Sequence, residues 1–344
     1  MDKLLGKSLE QLQEVALSVG LPRFAGKQLA EWIYQKRATT FMEMTNISGK
    51  GRQALAERYT IGREEPIAHI ESEDGTTKYL FEVQTANGKQ FIETVYIPEA
   101  DRATLCVSTQ AGCKMGCRFC MTGTLGFHGN LSTADILNQI FSIPQSAELS
   151  NIVYMGEGEP CDNISSTLDS INVLTSSWGC AWSPRRITVS SVGYLPHLKE
   201  LLDLTDCHIA ISLHNPISTE RQEIMPIEKA YPMTSVLQLL KQYDWQHQRR
   251  LSFEYICFGG KNDTMRHANA LRRLLSELNC RINLIRFHED PQNPHTTLHP
   301  SSDEQMVWLR DYLTSNGIIT TIRRSRGEDI LAACGMLVNS LKDK

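Results

Sequence analysis

Three cysteines in one short loop carry the most specific chemistry in this sequence. Cys113, Cys117 and Cys120 stand in C-x3-C-x2-C spacing within Cys106-Val-Ser-Thr-Gln-Ala-Gly-Cys-Lys-Met-Gly-Cys-Arg-Phe-Cys120. So tight a loop can turn three thiolates toward one point. Thiolates are soft ligands that suit zinc and iron–sulfur clusters. A structural zinc closes its tetrahedron with a fourth Cys or His. The loop offers none, because Cys106 is seven residues back and His128 eight residues on. Three ligands on a four-iron cluster leave one iron open to an external molecule. The bland alternative is a trio of buried thiols, since free Cys is often simply core.

The elements around the loop must hold it in place. After residue 100, expected strands at 103–109, 151–156, 186–191, 207–213, 251–258 and 281–288 alternate with expected helices at 132–143, 164–176, 196–204, 233–243 and 264–278. A further helix near 303–316 and a strand near 318–323 follow. Such alternation signals a parallel sheet with crossover helices, and six units suggest an open, partial (β/α)6 barrel. Barrel sites lie at the C-terminal ends of the strands. There the chain places the cysteine loop, Gly156-Glu-Gly-Glu-Pro160, Ser190-Ser-Val-Gly193, Ser212-Leu-His214 and Phe287-His288. Each alone is a weak signal: a glycine turn is often only a turn, and a lone His is usually a satisfied one. Together they form a ring of polar groups at one mouth. The Gly backbone and Glu159 can hold an ammonium, and serine hydroxyls can reach a carboxylate or ribose. Near the end, Arg326-Gly-Glu-Asp-Ile-Leu-Ala-Ala-Cys-Gly335 sets Cys334 among small residues, where a thiol is accessible as a nucleophile.

Upstream, residues 1–62 read as a helical module. Leu4, Leu5, Leu9, Leu12 and Val15 to Leu17 recur at helical spacing, and Gln28 to Arg37 carries Leu29, Trp32 and Ile33 on one face. Residues 63–100 then change to period two, with strands at Ile67 to Ile70, Lys78 to Val83 and Phe91 to Ile97. Asp74-Gly75 and Asn87-Gly88 mark hairpin turns between them. The expected organisation is therefore a helical accessory module at 1–62, a small antiparallel sheet at 63–100, and an α/β barrel at 101–344.

Composition bounds the setting. The chain has 344 residues, is 41% hydrophobic and has a net charge of −4, as expected of a water-soluble globular protein. No run approaches the roughly 18 apolar residues of a membrane span, and Met1 to Leu12 lacks a signal-peptide core. A cytoplasmic location is expected, where ten cysteines suggest metal or redox chemistry rather than disulfides. The negative net charge argues against a coat of indiscriminate nucleic-acid-binding charge. Arg185-Arg186, Arg249-Arg250, Arg272-Arg273 and Arg323-Arg324 with Arg326 are candidates for a local basic face, though such pairs are often solvated element ends.

These pieces together resemble the RlmN and Cfr group of radical S-adenosylmethionine (SAM) adenosine methyltransferases. The resemblance rests on the cysteine loop with Phe119 before its last Cys, Glu93-Thr-Val-Tyr-Ile-Pro-Glu99, Arg102-Ala-Thr-Leu-Cys-Val-Ser108 and Gly126-Phe-x-x-Asn-Leu131. It extends to Met155-Gly-x-Gly-Glu-Pro160, Ile211-Ser-Leu-His214, Met225-Pro-Ile227 and the segment around Cys334, and it starts with Trp32-Ile-Tyr34. It implies a [4Fe–4S] cluster on Cys113, Cys117 and Cys120. It implies SAM contacts from Gly158, Glu159, Ser190, Ser212, Leu213 and His214. Cys334 would carry a methyl group, Cys106 would resolve the product through a transient disulfide, and Glu93 would accept the ring proton. The family scheme needs this detour because an adenine ring carbon is too weak a nucleophile to attack the SAM methyl. One SAM methylates the Cys, a second yields a 5′-deoxyadenosyl radical, and that radical activates the methyl.

The implied partners are rRNA or tRNA, which the helical module would help to seat, and an electron donor such as a flavodoxin-type reductant; neither DNA nor a membrane is implied. One departure stands out. Where the family usually reads Asn-Leu-Ile-Pro-x-Asn, this chain has Asn283-Leu-Ile-Arg-Phe-His288, so His288 takes the place of an Asn that contacts SAM. Arg326-Gly-Glu-Asp favours the branch that modifies adenine carbon 2; carbon 8 is the alternative, and a non-catalytic metal-binding module is the competing class.

Overall fold

The computed structural model describes residues 1–247, 249–289 and 297–337. The last seven positions of the expected 101–344 segment lie outside them. One mixed sheet of ten strands organises the chain, and its strands lie side by side in sequence order. They are β1 (Ala68–Glu71), β2 (Thr77–Thr85), β3 (Gly88–Glu99), β4 (Arg102–Cys106), β5 (Asn151–Tyr154), β6 (Ile187–Ser191), β7 (His208–Ser212), β8 (Leu251–Cys257), β9 (Arg281–Arg286) and β10 (Ile319–Ile322).

The first four strands pair antiparallel, and β4 through β10 pair parallel. The parallel part is the partial barrel, with one strand added after the sixth. The hairpin strands do not form a sheet apart. Instead β4 serves both halves, antiparallel to β3 on one side and parallel to β5 on the other. This matters for the site, because it brings β3 beside the start of the cysteine loop.

The crossover helices are α4 (Thr133–Ser142), α5 (Ile164–Thr175), α6 (Leu195–Leu204), α7 (Ser218–Ile224), α8 (Met233–Leu240), α9 (Met265–Leu275) and α10 (Asp303–Ser315), after α1 (Leu9–Ser18), α2 (Ala25–Ala30) and α3 (Gly49–Arg58) in the N-terminal region. Their starts follow from the sequence. Ser132 caps α4 in a box with Asp135, and Ser302 caps α10. Each side-chain oxygen satisfies a backbone N–H that the helix itself cannot.

The region before residue 62 packs directly on the barrel. Leu12, Leu29, Ile33 and Tyr34 share one buried cluster with Ile136, Phe141 and Ile152. The Tyr34 ring stands 6.2 Å from that of Phe141 and 5.9 Å from Trp178, and its hydroxyl donates to the Lys7 carbonyl at 2.7 Å. The helix expected from Gln28 to Arg37 is in fact α2 followed by a π-helical turn at Glu31–Gln35. Among the described residues no helix is long and apolar enough to cross a membrane.

Candidate active site

The C-terminal ends of the strands open onto two cavities. The first is lined by Cys113, Cys117 and Cys120, by Gly158 and Glu159 after β5, by Ser190, by Ser212 and His214, and by Glu254 of β8. The second is lined by Cys106, His288, Val95 and Ile97 of β3, and Arg326. Cys120, Met155, Arg323 and Cys334 line both.

Local geometry explains why the loop folds this way. A short two-stranded ribbon, Gln110–Gly112 with Phe127–Asn130, closes the cysteine loop at its base. Gly112 has φ 69°, and a Cβ there would come within 1.8 Å of the Gly126 carbonyl, so only glycine permits the closure. Gly158 has φ 92°, and a Cβ would meet the Gln110 side chain at 2.5 Å. The Gly156-to-Pro160 turn therefore sits flat against the cysteine loop. Glu157 joins them as well, accepting from the Glu93 N–H at 2.8 Å and the Gly112 N–H at 3.2 Å. Burial, and then the nearby Glu93 charge, push its carboxyl up to about 8.

Glu159 is held by two backbone donors, Cys161 N–H at 3.1 Å and Val192 N–H at 2.9 Å. Burial outweighs them and lifts its carboxyl to about 7. His214 has φ 54°, and its Nδ1 accepts from the Ile256 N–H at 3.0 Å. Burial, helped by the Arg221 guanidinium, pushes its pKa down to about 3, so the ring is neutral with its proton on Nε2. Phe119 meets this ring edge-on at 4.7 Å. Leu213 is fully buried and lines neither cavity; its N–H donates to the Glu254 carbonyl and its own carbonyl accepts from Arg221 Nε, each at 3.0 Å.

The ten cysteines are free thiols. Burial pushes Cys113 up to about 12, Cys117 well above its ordinary value, and Cys120 upward. Three thiols line one largely buried cavity, and Cys117 is raised further by both Cys120 and Cys113; as thiolates they are the electrostatic complement of a cationic group. Among the described residues, no three His, Cys, Asp or Glu side chains close on a single metal ion. Sulfurs spread around one cavity suit a cluster whose irons each take one thiolate. Glu254 adds to the fit: its Oε2 is buried, lacks a hydrogen-bond partner and belongs to a residue lining the first cavity. It is an acceptor ready for a hydroxyl or an ammonium.

Two expected residues stand elsewhere. Glu93 is fully buried and ion-paired to Lys78 at 3.1 Å. His288 lines the second cavity, with Nε2 2.9 Å from Ser325 Oγ. Arg323 was foreseen only as part of a basic surface patch. It is half-buried and lines both cavities, with Nη1 3.5 Å from Met155 Sδ and 3.8 Å from Glu254 Oε2, and the charge of a Cys334 thiolate raises its pKa. Its place at the end of an expected strand was the signal that puts it at the mouth. Cys106 is pushed up to about 12, first by burial and then by Cys334.

Residues 3–61 match the family model described as the ribosomal RNA large subunit methyltransferase N-terminal domain, and residues 107–275 match the radical SAM superfamily. The probable dual-specificity RNA methyltransferase RlmN of Porphyromonas gingivalis is 56% identical over 338 residues, covering 98% of this chain and 97% of the relative. Its namesake from Phocaeicola vulgatus is 51% identical over 341 residues, covering 99% and 96%. The chain belongs to the RlmN family. The crystal structure of a radical SAM methyltransferase from Sphaerobacter thermophilus matches with a TM-score of 0.89 and 34% identity, over 98% of this chain and 99% of that one. Membership in the RlmN family makes this a radical SAM methyltransferase, and radical SAM chemistry implies SAM and a [4Fe–4S] cluster.

Proposed function

We propose that this protein methylates an adenine ring carbon, carbon 2, in rRNA and tRNA, with Cys334 as the intermediate methyl carrier. The observation that supports this most is that Cys334 lines both cavities, one with the three loop cysteines and one with Cys106. A thiol at that junction can receive a methyl on one side and deliver it on the other.

In this reading Cys113, Cys117 and Cys120 hold the cluster through their sulfurs. Gly158, Glu159, Ser190, Ser212 and His214 orient SAM, with the neutral His214 ring donating from Nε2. His288, on the lining of the second cavity, stands in for the family's Asn and hydrogen-bonds the ribose or adenine of SAM. When bound, cluster and SAM together supply a methyl cation equivalent and, after one electron from a flavodoxin-type donor, a hydrogen-abstracting radical. The chain's own residues supply placement. Cys334 presents its sulfur to the methyl. Cys106 keeps its proton at neutral pH, because burial raises it. Its sulfur then attacks the Cys334 sulfur of the protein–RNA thioether, the S–S bond forming as the C–S bond breaks. The electron pair leaves on the methylene carbon, and a proton, supplied in balance by the Cys106 thiol, completes the product methyl group. Glu93 is the proton acceptor that the family scheme requires, and it can serve once its pair with Lys78 opens. The N-terminal region, residues 1–62, seats the RNA.

Mass mapping of rRNA and tRNA from cells with and without the gene tests this. Methyladenosine modified at carbon 2 and lost on deletion is the expected result. Loss of a carbon-8 mark instead would move the site of modification, and unchanged RNA would remove the reading.

A further inference from the structure

The loop that carries Cys334 has only one 3-10 turn of its own, at Glu328–Ile330. Its shape is imposed by neighbours. The Gly327 N–H donates to Asp74 Oδ2 at 3.3 Å, and the Ser72 hydroxyl donates to Asp329 Oδ1 at 2.6 Å. At the far end the Gly335 carbonyl accepts from the Met121 N–H at 2.8 Å, and the Leu337 carbonyl from the Thr122 hydroxyl at 2.9 Å. Between these anchors the chain turns at Leu331 with φ 53°, a left-handed conformation costly for a side chain with a Cβ. Something must hold that turn.

Lys78 reaches it. Its Nζ donates to the Leu331 carbonyl at 3.2 Å and lies 3.1 Å from Glu93 Oε1, with both charged side chains 0% exposed. Lys78 opposes Val95, and Leu80 opposes Glu93, so all four residues share one face of β2 and β3. On that face Val95 and Ile97 pack against Ile330, Ala332 and Leu337 of the loop. An aliphatic side chain would fill the same space without desolvating a charge pair. What a cation alone can do there is bond a carboxylate on the sheet and a carbonyl on the loop together.

We propose that Lys78 is a positioning residue for methyl transfer: its ammonium fastens the strained turn at Leu331 to Glu93 and so sets where Cys334 stands between the two cavities. The inference rests on Cys334 as the methyl carrier. The test uses the full chain with its cluster reconstituted, and the variants Lys78→Met, Lys78→Arg and Lys78→Met/Glu93→Leu. Three readouts are taken: methyl incorporation at Cys334 by peptide mass, the KM for SAM in that step, and hydrogen exchange of residues 328–336.

Lys78→Met is expected to slow methylation of Cys334 at least tenfold with the KM for SAM within about twofold, and to speed exchange in 328–336 by a similar factor. Lys78→Arg should recover part of both. The double variant removes both charges of the pair, so it should regain thermal stability relative to Lys78→Met but neither loop protection nor methylation rate; it also carries the test if Lys78→Met does not fold. Wild-type methylation and exchange in Lys78→Met, or full recovery of both in the double variant, would overturn the proposal and leave Lys78 a simple structural cation. If the wild-type chain forms no methyl-Cys334, the proposed function fails instead, and loop exchange still reads the role of Lys78.

Discussion

His214 sits buried in the wall of the first cavity, and its neutral state is part of the fold. Its Nδ1 accepts from the Ile256 N–H, so a proton there breaks a buried hydrogen bond. Burial and Arg221 lower its pKa to about 3 from the ordinary 6.5. A depressed pKa of this kind contributes stability that is fully present above 6.5 and is lost as pH falls from there toward 3. Glu159, raised to about 7, acts in the opposite sense, so the single-residue difference is the useful quantity. Urea unfolding without SAM should show the wild type losing up to about 1.4 kcal/mol more per pH unit than His214→Gln between pH 6 and 4. Equal slopes would mean that the ring titrates freely. At this scale the cysteines, Glu159 and His214 were legible, because type and spacing name them. The state of each was not, since pKa depends on burial that only the folded chain creates.

α7 is the element on which the SAM side of the mouth depends. Its Arg221 is fully buried, pairs with Glu228, and donates to three strand-end carbonyls, those of Val192, Ser212 and Leu213, at 2.9 to 3.0 Å. Arg221→Met removes those donors and strands a buried carboxylate, which costs about 3–5 kcal/mol. A loss below about 1 kcal/mol in urea unfolding would show that the pair is dispensable. Sequence periodicity does not reveal this helix, because Ser218-Thr-Glu-Arg-Gln-Glu-Ile224 has one apolar residue and is held by a charge. The crossover helices α4, α8 and α10 were legible because apolar residues recur on one face, and α4 and α10 also start at a serine cap. In the N-terminal region, Arg23, Phe24 and Lys27 lie exposed around the start of α2, two cations beside an aromatic ring. If that element seats RNA, Arg23→Glu/Lys27→Glu should weaken binding and lower the slope of log affinity against log salt by about 1.5 to 2, with SAM cleavage unchanged. An unchanged slope in a filter-binding assay would place the RNA elsewhere.

The whole molecule works because a hairpin sheet and a barrel sheet are one sheet. Local turn chemistry made the hairpins legible at Asp74-Gly75 and Asn87-Gly88, and alternation made the barrel legible. That β4 joins them is a non-local pairing that no local pattern encodes. The same continuity puts Lys78 and Glu93 under the Cys334 loop and Cys106 at the second cavity, and it turns Arg323 from an expected surface charge into the cation between two thiols. The central claim is that Cys334 carries the methyl and Cys106 releases the product, and it can be read on one denaturing gel. Cys106→Ala and Cys334→Ala, each with cluster, SAM, reductant and RNA, are run beside the wild type, and the shifted band is mapped by mass. The account predicts an RNA-bound species through Cys334 in Cys106→Ala and free protein in Cys334→Ala. A shifted band in Cys334→Ala, or in neither variant, would contradict it.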